Sequence, residues 1–321
     1  MRSIAVLTSG GDAPGMNAGI RATVRTAISR GLSVFGVRRG YQGLIDDELF
    51  EMSSTDVSNI LQRGGTILHS ARSEEFRTPD GRARAAENLQ RRRIEGLVVF
   101  GGDGSFRGAN DLQREHAVRV VGAPATIDND IWGTDFTIGF DTAVNTALDA
   151  IDKVRDTAAA HDRLFIVEVM GRHAGFIALE VGIGTGAEGI LIPETVTDIP
   201  DMISRLNERM KEGRTSSILV VAEGDEEGNA YQIAGKIEKL SGIKSRVTVL
   251  GHVQRGGSPT ASDRMLASKL GYASVMALLD DAAPCMVGIE EGQIVRHPLA
   301  DAWTRKKELD QLLVKLIAEL E

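Results

Sequence analysis

Short apolar runs, each followed by a turn, constrain the fold of this chain more than any other feature of its sequence. The runs are continuous rather than alternating in polarity, which is typical of parallel strands covered on both faces. They span residues 4–7, 33–37, 97–100, 118–121, 164–169, 190–192, 218–222 and 247–250. Helices are predicted from near 17, and over 141–160, 201–212, 261–280 and 303–320. This alternation of strand, loop and helix predicts an α/β protein with helices on both faces of its sheets.

The strand and helix patterns fall into two sets, one before about residue 140 and one from about 164 to 250. A chain of 321 residues is long enough for two domains that each bury a core. Hydrophobic residues make up 42% and charged residues 26%, which excludes a largely disordered polymer. We therefore expect a soluble, globular, two-domain protein.

The charge balance limits the partners that this chain can bind. Thirty-seven basic and 45 acidic residues give a net charge of -8, which argues against nucleic acid as the main partner. Cys285 is the only cysteine, so an intrachain disulfide is excluded and a cytoplasmic location is expected. No export signal or membrane span is predicted. Any anion must therefore be held by a local cluster of donors.

Two glycine-rich loops follow predicted strands, where ligands bind in open parallel sheets. Gly10 and Gly11 would expose backbone N–H groups beside a helix N-terminus, which favours phosphate. The loop lacks the Gly-Lys-Ser/Thr of a Walker A motif, and an ordinary strand-to-helix turn stays open as its alternative. In the second loop Asp103 lies among Gly101, Gly102, Gly104 and Ser105, which indicates a Mg²⁺-nucleotide site. The alternative is that Asp103 caps the following helix.

A third segment, 124–130, follows the strand predicted at 118–121. In an extended chain Thr126, Asp128 and Asp130 would point to the same side. Neighbouring carboxylates raise each other's pKa, so one could accept a proton while the other helps to hold a cation. A polar turn capped by its Asx side chains is the alternative interpretation.

Cationic side chains cluster at other predicted strand ends. Arginine binds phosphate through a bidentate fork, and this pattern favours a phosphorylated metabolite. His252 could also be a structural histidine, but two glycines and an arginine follow it closely. The residues concerned are Arg163, Arg172, Arg246, His252 and Arg255.

Residues 63–93 form a basic island that contains eight arginines and four acidic residues. Arg72, Arg77 and Arg82, in a loop-like stretch with Pro79, could meet the phosphates of a nucleotide. The arginines at 91–93 are interpreted as a solvated helix end rather than a nucleic-acid contact. Residues 182–187 match G-x-G-x-x-A, but they precede a predicted strand, so a Rossmann site is rejected on context.

These loops, taken in order, closely resemble those of bacterial ATP-dependent 6-phosphofructokinases. The resemblance runs from residue 1 to about residue 300, and five loops at matching intervals are far more specific than any one alone. The matching segments are Thr8-Ser9-Gly10-Gly11-Asp12, Gly101-Gly102-Asp103-Gly104-Ser105, Thr126-Ile127-Asp128-Asn129-Asp130, Met170-Gly171-Arg172 and Gly251-His252-Val253-Gln254-Arg255-Gly256-Gly257-Ser258.

The resemblance implies two similar three-layer α/β/α domains with mainly parallel sheets and an active site in the cleft between them. A larger, ATP-binding domain would span 1–139 and 252–304, and a smaller, sugar-phosphate-binding domain 140–251 and 305–321. The implied reaction is the glycolytic transfer of phosphate from MgATP to the 1-hydroxyl of fructose 6-phosphate, which gives fructose 1,6-bisphosphate and ADP.

Site residues carry over by position. Asp128 would take the proton, Thr126 and Arg172 would stabilise the phosphoryl group, and Asp130 belongs to the same catalytic set. Asp103 would hold Mg²⁺, and ATP would be bound by Gly11, Tyr41, Arg72, Ser73, Arg77, Arg82, Gly102, Asp103, Gly104 and Ser105. The sugar phosphate would be bound by Thr126, Ile127, Asp128, Arg163, Met170, Gly171, Arg172, Glu223, Arg246, His252 and Arg255. These roles agree with phosphoryl transfer, which needs alignment and charge neutralisation.

The resemblance also implies an assembly and a phosphoryl donor. In the family Arg163 and Arg246 reach in from a neighbouring subunit, so a homo-oligomer, usually a tetramer, is expected. Pyrophosphate-dependent relatives carry Asp at the position of Gly104 and Lys at that of Ala125, so this sequence favours ATP. Ser73 departs from the bulkier residue often found beside the nucleotide.

An effector site for ADP and phosphoenolpyruvate is implied by Arg21, Arg25, Arg155, Glu188 and Arg214. Ser54 replaces the usual arginine and Glu212 stands where lysine is common, so we expect a blunted or altered response. A pair of arginines at i and i+4 can also be a solvated surface.

Two other classes of protein are weighed against the sugar-phosphate kinase. A lipid or NAD kinase can share a Gly-Gly-Asp-Gly loop, but it would not explain the segment from His252 to Arg255. A non-catalytic nucleotide sensor would be expected to lose Asp103 or Asp128, and both are present.

Overall fold

The apolar runs form the strands of two sheets in a computed structural model that describes residues 1–159, 163–213 and 216–320. The strands are β1 Ser3–Thr8, β2 Ser33–Val37, β3 Leu49–Met52, β4 Gly96–Gly101, β5 Arg119–Pro124, β6 Leu164–Val169, β7 Gly189–Leu191, β8 Ser217–Ala222, β9 Ser245–Val249, β10 Cys285–Glu290 and β11 Gln293–Pro298. The helices are α1 Met16–Ser29, α2 Gly40–Ile45, α3 Pro79–Arg91, α4 Asp103–His116, α5 Phe140–Ala159, α6 Phe176–Thr185, α7 Ile199–Lys211, α8 Ala230–Ser241, α9 Ala261–Leu279, α10 Asp301–Thr304 and α11 Gln311–Leu320.

The chain divides into two compact units. The first comprises Met1–Ile127, Ile131–Thr142 and Arg255–Lys307, and the second comprises Asp128–Asp130, Ala143–Gln254 and the chain from Glu308 onward. Within the described ranges no helix is long and apolar enough to cross a lipid bilayer.

The first unit is built on a seven-stranded sheet with the order β11-β10-β5-β4-β1-β2-β3. Its five central strands are parallel, whereas β3 and β11 run antiparallel to their neighbours at the two edges. In register, Thr8 lies beside Phe100 and Gly101 lies beside Pro124. The loops that follow β1, β4 and β5 therefore all begin at the carboxyl ends of their strands, on the same side of the sheet.

The second unit contains a four-stranded parallel sheet with the order β7-β8-β6-β9. Val169 pairs with Ala222, and Glu168 pairs with Val249. The loops after β6, β8 and β9 therefore also begin together, at the carboxyl ends of their strands. Strand β8 is buried along its whole length, whereas β9 is only partly covered at the sheet edge. The α/β architecture predicted from the sequence is confirmed.

Local signals explain where several helices begin. Thr78 caps α3 by accepting a hydrogen bond from the Gly81 N–H group, with Pro79 at the first helical position. Asn229 and Gln232 form a reciprocal capping box at the start of α8. Such caps satisfy N–H groups that the first turn of a helix leaves unpaired.

The sequence predictions fail where periodicity is weak. The continuous helix predicted over 303–320 is wrong, because helices end at Thr304 and begin again at Gln311. The edge strands β3 and β11 were not predicted, since partly exposed antiparallel strands lack a continuous apolar run. Strand β10 was also missed, and its run is interrupted by Gly288.

Candidate active site

The loops after β1 and β4 in the first unit pack closely against one another. The Ser9 N–H group donates to the carbonyl oxygen of Phe100 at 2.9 Å. A Cβ at position 101 would lie 2.7 Å from the Ser9 carbonyl oxygen and 2.5 Å from the Ser105 hydroxyl oxygen. Only glycine allows this approach at Gly101, which fixes the two loops side by side.

Asp103 lies at the start of α4 between two glycines that border open space. Gly102 occupies the N-cap position in an extended conformation, so the alternative that Asp103 caps the helix is wrong. A Cβ added to Gly102 or Gly104 would meet no atom within 4 Å. The N–H groups and the dipole of the helix N-terminus favour an anion in such a space. The half-buried Asp103 carboxylate can approach that anion through a cation.

Arg255 extends to the first glycine-rich loop within the first unit. One of its guanidinium nitrogens donates to the Asp12 carbonyl oxygen at 3.3 Å. The same nitrogen would lie 2.5 Å from a Cβ at position 11. Gly11 and Arg255, which the sequence assigned to different ligands, are therefore neighbours.

A further loop, 63–67, was missed by the sequence analysis. The Asn17 side chain is buried and donates to the Arg63 carbonyl oxygen at 3.0 Å, while its own oxygen accepts from the Ile67 N–H group at 2.8 Å. The hydroxyls of Thr66 and Thr8 lie 2.9 Å apart. The glycine pair at 64 and 65 was a usable signal, but no apolar run precedes it.

Tyr41 supports the loop after β4 from the protein interior. Its ring stacks on Phe76 with centroids 4.0 Å apart, and its hydroxyl donates to the Ser105 carbonyl oxygen. Burial raises the pKa of the Tyr41 hydroxyl, which keeps it protonated as a donor. Tyr41 thus holds the backbone of the loop.

The other residues predicted near the nucleotide differ in exposure. Arg72 and Arg77 are exposed, and Arg77 pairs with Glu74 at 3.1 Å. The Ser73 hydroxyl donates to the Gln42 amide oxygen at 2.8 Å and accepts from the Phe76 N–H group at 3.2 Å. Ser73 therefore orders the turn that carries these arginines.

The prediction that Arg82 lies in a loop is wrong. Arg82 lies in α3, and its side chain is only 8% exposed. Its guanidinium binds both oxygens of Glu115 at 2.6 and 2.8 Å and donates to the carbonyl oxygens of Phe76 and Arg77. Hydrogen bonding lowers the pKa of Glu115 and raises that of Arg82. The Arg82 guanidinium is hydrogen-bonded to protein groups. It can therefore influence a nucleotide only through the turn that contains Phe76 and Arg77.

The segment after β5 turns instead of remaining extended. Ile127 and Asp128 form a turn, and Asn129 has a φ of 54°. The expectation that Thr126, Asp128 and Asp130 share one side of an extended chain is therefore wrong. Asp128 is 2% exposed, whereas Asp130 is half-buried. The two carboxylates thus have different environments.

In the second unit, the loop after β6 holds Arg172 in a left-handed conformation with a φ of 56°. The Arg172 N–H group donates to a Glu223 carboxylate oxygen at 2.7 Å. A Cβ at position 224 would overlap the Arg172 carbonyl oxygen, so Gly224 is needed for the close contact. At the other end of the loop, the Met170 N–H group donates to the Gln254 amide oxygen at 2.9 Å. Gln254 and Gly224 were not among the predicted site residues.

Arg163 and Arg246 lie at the amino end of the same sheet. Arg163 precedes β6, and Arg246 pairs in register with Phe165. Both side chains are exposed. Met170 and His252 instead follow the carboxyl ends of their strands. The structure of the second unit therefore places the two arginines at the opposite end of the sheet from Met170 and His252.

Among the predicted effector residues, Arg155 and Glu188 lie together in the second unit. Arg155 donates to the carbonyl oxygens of Thr185 and Gly186 and lies 3.6 Å from the Glu188 carboxylate. Glu188 also pairs with Arg209 at 3.2 Å. Arg21 and Arg25 lie one turn apart on α1 of the first unit, and Arg214 lies outside the described residues.

No cluster of three His, Cys, Asp or Glu side chains forms a metal site among the residues that the structure describes. Asp103 alone would therefore leave most coordination positions of a cation to other ligands. Mg²⁺ is commonly bound in this way, by one or two carboxylates together with substrate phosphates and water. The donor set around Asp103 fits a metal that arrives with a nucleotide.

Comparison with known proteins identifies the family. The phosphofructokinase family profile matches residues 3–278. The chain is 56% identical over 316 residues, covering 98% of both chains, to ATP-dependent 6-phosphofructokinase 1 of Thermus thermophilus. It is 52% identical, again over 98% of both chains, to ATP-dependent 6-phosphofructokinase of Thermotoga neapolitana.

Solved structures agree with this assignment. Phosphofructokinase from Saccharomyces cerevisiae superposes with a TM-score of 0.89 at 37% identity, and the match covers 100% of this chain and 47% of that one. A pyrophosphate-dependent phosphofructokinase from Marinobacter aquaeolei has the same fold, with a TM-score of 0.85 at 24% identity over 97% and 86% of the two chains. The resemblance carried by the five loops is confirmed, and the chain belongs to the phosphofructokinase family.

Proposed function

We propose that this protein is an ATP-dependent 6-phosphofructokinase. It transfers the terminal phosphoryl group of ATP to the 1-hydroxyl of fructose 6-phosphate and releases ADP and fructose 1,6-bisphosphate, a glycolytic step. The observation that carries the proposal is the 51–56% identity, over 98–100% of this chain, to curated bacterial enzymes of that name.

The nucleotide is assigned to the first unit. Gly11, Gly102, Gly104 and Ser105 present backbone groups to its phosphates, and Asp103 holds Mg²⁺. The metal, when bound with ATP, neutralises charge on the phosphoryl group in transfer. The open space beside Gly102 and Gly104 supports this assignment.

The side chains around this loop divide by exposure into two proposed roles. Arg72 and Arg77, both exposed, meet the nucleotide directly. Tyr41, Ser73 and Arg82 position the loop and the turn through their bonds to protein groups.

Proton transfer is assigned to Asp128. The Asp128 carboxylate is 2% exposed, so little bulk water lies beside it. A carboxylate oxygen can therefore accept the proton of the sugar 1-hydroxyl while the hydroxyl oxygen attacks phosphorus. Thr126 and Arg172 stabilise the charge on the phosphoryl group, and Asp130 helps to order the segment. Alignment and charge neutralisation are the main protein contributions to phosphoryl transfer.

The sugar phosphate is assigned to loops at the carboxyl ends of β6, β8 and β9. Met170, Gly171 and Glu223 contact the sugar, with Ile127 beside the reacting hydroxyl. One Glu223 oxygen already accepts from the Arg172 N–H group, and the second can accept from a sugar hydroxyl. His252 and Arg255 hold the 6-phosphate.

Arg163 and Arg246 serve a neighbouring copy of the chain. Seven residue steps separate Arg163 from Met170 along β6, or roughly 23 Å at about 3.3 Å per residue. A single sugar-phosphate molecule cannot contact both ends of such a strand. The spacing supports a homo-oligomer, a tetramer by the family resemblance, in which each sugar-phosphate site includes arginines of another subunit.

Effector control is proposed to be weaker than in relatives with a complete set of basic residues. Arg155 and Arg209 share the carboxylate of Glu188, which offsets one of their two positive charges. Ser54 and Glu212 remove two further cationic positions. An anion such as phosphoenolpyruvate therefore meets less positive potential at this site.

The Asp128→Asn variant tests the proposed proton acceptor. We expect kcat to fall by about 10²–10⁴, with little change in KM for either substrate, because the proton moves only during transfer. Steady-state kinetics with MgATP and fructose 6-phosphate give both constants. Asp149→Asn, the same change at an exposed position on α5, is the control. Near-normal turnover of Asp128→Asn would remove Asp128 from this role.

Subunit complementation tests the proposed role of Arg246. Alone, Arg246→Ala should raise KM for fructose 6-phosphate by about 10–100-fold, the cost of losing a hydrogen bond to a charged group. Coexpression of Arg246→Ala with Asp128→Asn should restore activity, because some sites would combine an intact Asp128 with an intact Arg246 from another copy. Activity equal to the sum of the two separate variants would contradict the shared site.

The choice of phosphoryl donor is tested at Gly104. Gly104→Asp adds a carboxylate in open space near a helix N-terminus, where acidic residues are tolerated, so the fold should persist. We expect KM for MgATP to rise at least about tenfold through repulsion of the phosphates. Gly104→Ala adds only the Cβ and should stay close to the wild type. Equal KM values for the two variants would show that charge at position 104 does not select the donor.

Effector strength is measured from the half-saturating concentration of fructose 6-phosphate. Saturating phosphoenolpyruvate should raise it by less than about fivefold, the lower end of typical allosteric coupling. Ser54→Arg combined with Glu212→Lys should increase that shift. A large shift in the wild-type enzyme would show that Ser54 and Glu212 do not weaken the response.

A further inference from the structure

Gln254 is a fully buried amide that the proposed mechanism does not use. It lies in the 3-10 turn Gly251–Arg255, between His252 and Arg255. Its side chain is 0% exposed, and its oxygen accepts from the Met170 N–H group at 2.9 Å. Its amide nitrogen is buried and has no hydrogen-bond partner among the described residues. The amide oxygen of Gln254 is therefore hydrogen-bonded, and its amide nitrogen is not.

Stability alone does not account for a glutamine at this position. Rotating the amide by 180° would point its NH₂ group at the Met170 N–H group, two donors facing one another, so the observed orientation is fixed. A buried donor without an acceptor lowers the stability of the fold. A methionine of similar length would avoid this cost. The bond to Met170 is the property that glutamine adds.

Met170 begins the short loop that ends at Arg172. Arg172 has a φ of 56°, and a residue other than glycine stays in that region only when its surroundings impose it. Glu223 and Gly224 restrain the Arg172 end of the loop through its N–H and carbonyl groups. Gln254 restrains the Met170 end.

We propose that Gln254 is a positioning residue that fixes the Met170–Arg172 loop, so that the Arg172 guanidinium is aligned with the phosphoryl group in transfer. The inference rests on the proposed function, in which Arg172 stabilises that group. Without the acceptor at Gln254, the Met170 N–H group loses its partner, and the Met170 end of the loop loses this restraint. Misplacement of a catalytic group by about 1 Å can cost about 100-fold in rate.

The Gln254→Met variant separates positioning from stability. We expect kcat to fall by about 10–100-fold, while KM for MgATP changes by no more than about twofold. The midpoint of urea unfolding should stay near that of the wild type, because the lost bond is offset by removal of the unpaired NH₂ group. A lower midpoint with unchanged kcat would overturn the proposal. Gln90→Met, at an exposed position on α3, is the matched control.

A double-mutant cycle with Arg172→Ala identifies the residue through which Gln254 acts. In the Arg172→Ala background, Gln254→Met should lower kcat by no more than about twofold further, because the group that it positions is already absent. In a His252→Ala background, its full effect on kcat should remain. If the effects of Gln254→Met and Arg172→Ala multiply, Gln254 does not act through Arg172.

Two further results keep the test decisive. If Gln254→Met does not fold, Gln254→Asn replaces it in the same cycle. The asparagine side chain is one methylene shorter, so its amide oxygen does not reach the Met170 N–H group. An inactive wild-type enzyme would contradict the proposed function itself. An active wild-type enzyme with multiplying effects would contradict only the positioning role of Gln254.

Discussion

The carboxyl ends of the parallel strands in the two sheets are the constraint on which the proposed nucleotide and sugar sites depend. Neighbouring strands end in register there, so the loops that leave them crowd together. At Gly101 and Gly224 the crowding is so close that a Cβ would meet the backbone of a neighbouring loop. Packing therefore imposes one requirement on these two positions, which is the absence of a side chain.

Much of the fold could be predicted because buried parallel strands leave a strong local signal. All eight predicted apolar runs form strands, and α5, α7 and α9 lie where helices were expected. The edge strands β3 and β11 could not be found in the same way, since neither is buried along its length. Strands β3 and β11 form because they pair with β2 and β10, which a local sequence pattern does not show.

The candidate site was predictable at the level of its loops but not of its side-chain geometry. Asp128 was chosen for its residue type and context, yet the extended conformation assumed for it is replaced by a turn. Arg82 looked available, but its partner Glu115 lies 33 residues away on another helix. Gln254 depends on Met170, 84 residues away. Local patterns carry no information about such partners, so long-range hydrogen bonds decide which polar residues remain available.

The basic island at 63–93 shows how this selection works. Among the described residues, acidic neighbours pair with Arg77, Arg82, Arg84, Arg91 and Arg92. Such pairing makes the island a poor surface for a nucleic-acid backbone, because most of its charge is already offset. Arg72 is exposed and has no ion-pair partner in the described part of the chain. In a protein of net charge -8, local potential matters more for phosphate affinity than the total count of arginines, so an exposed arginine without an ion-pair partner is a better candidate than a paired one.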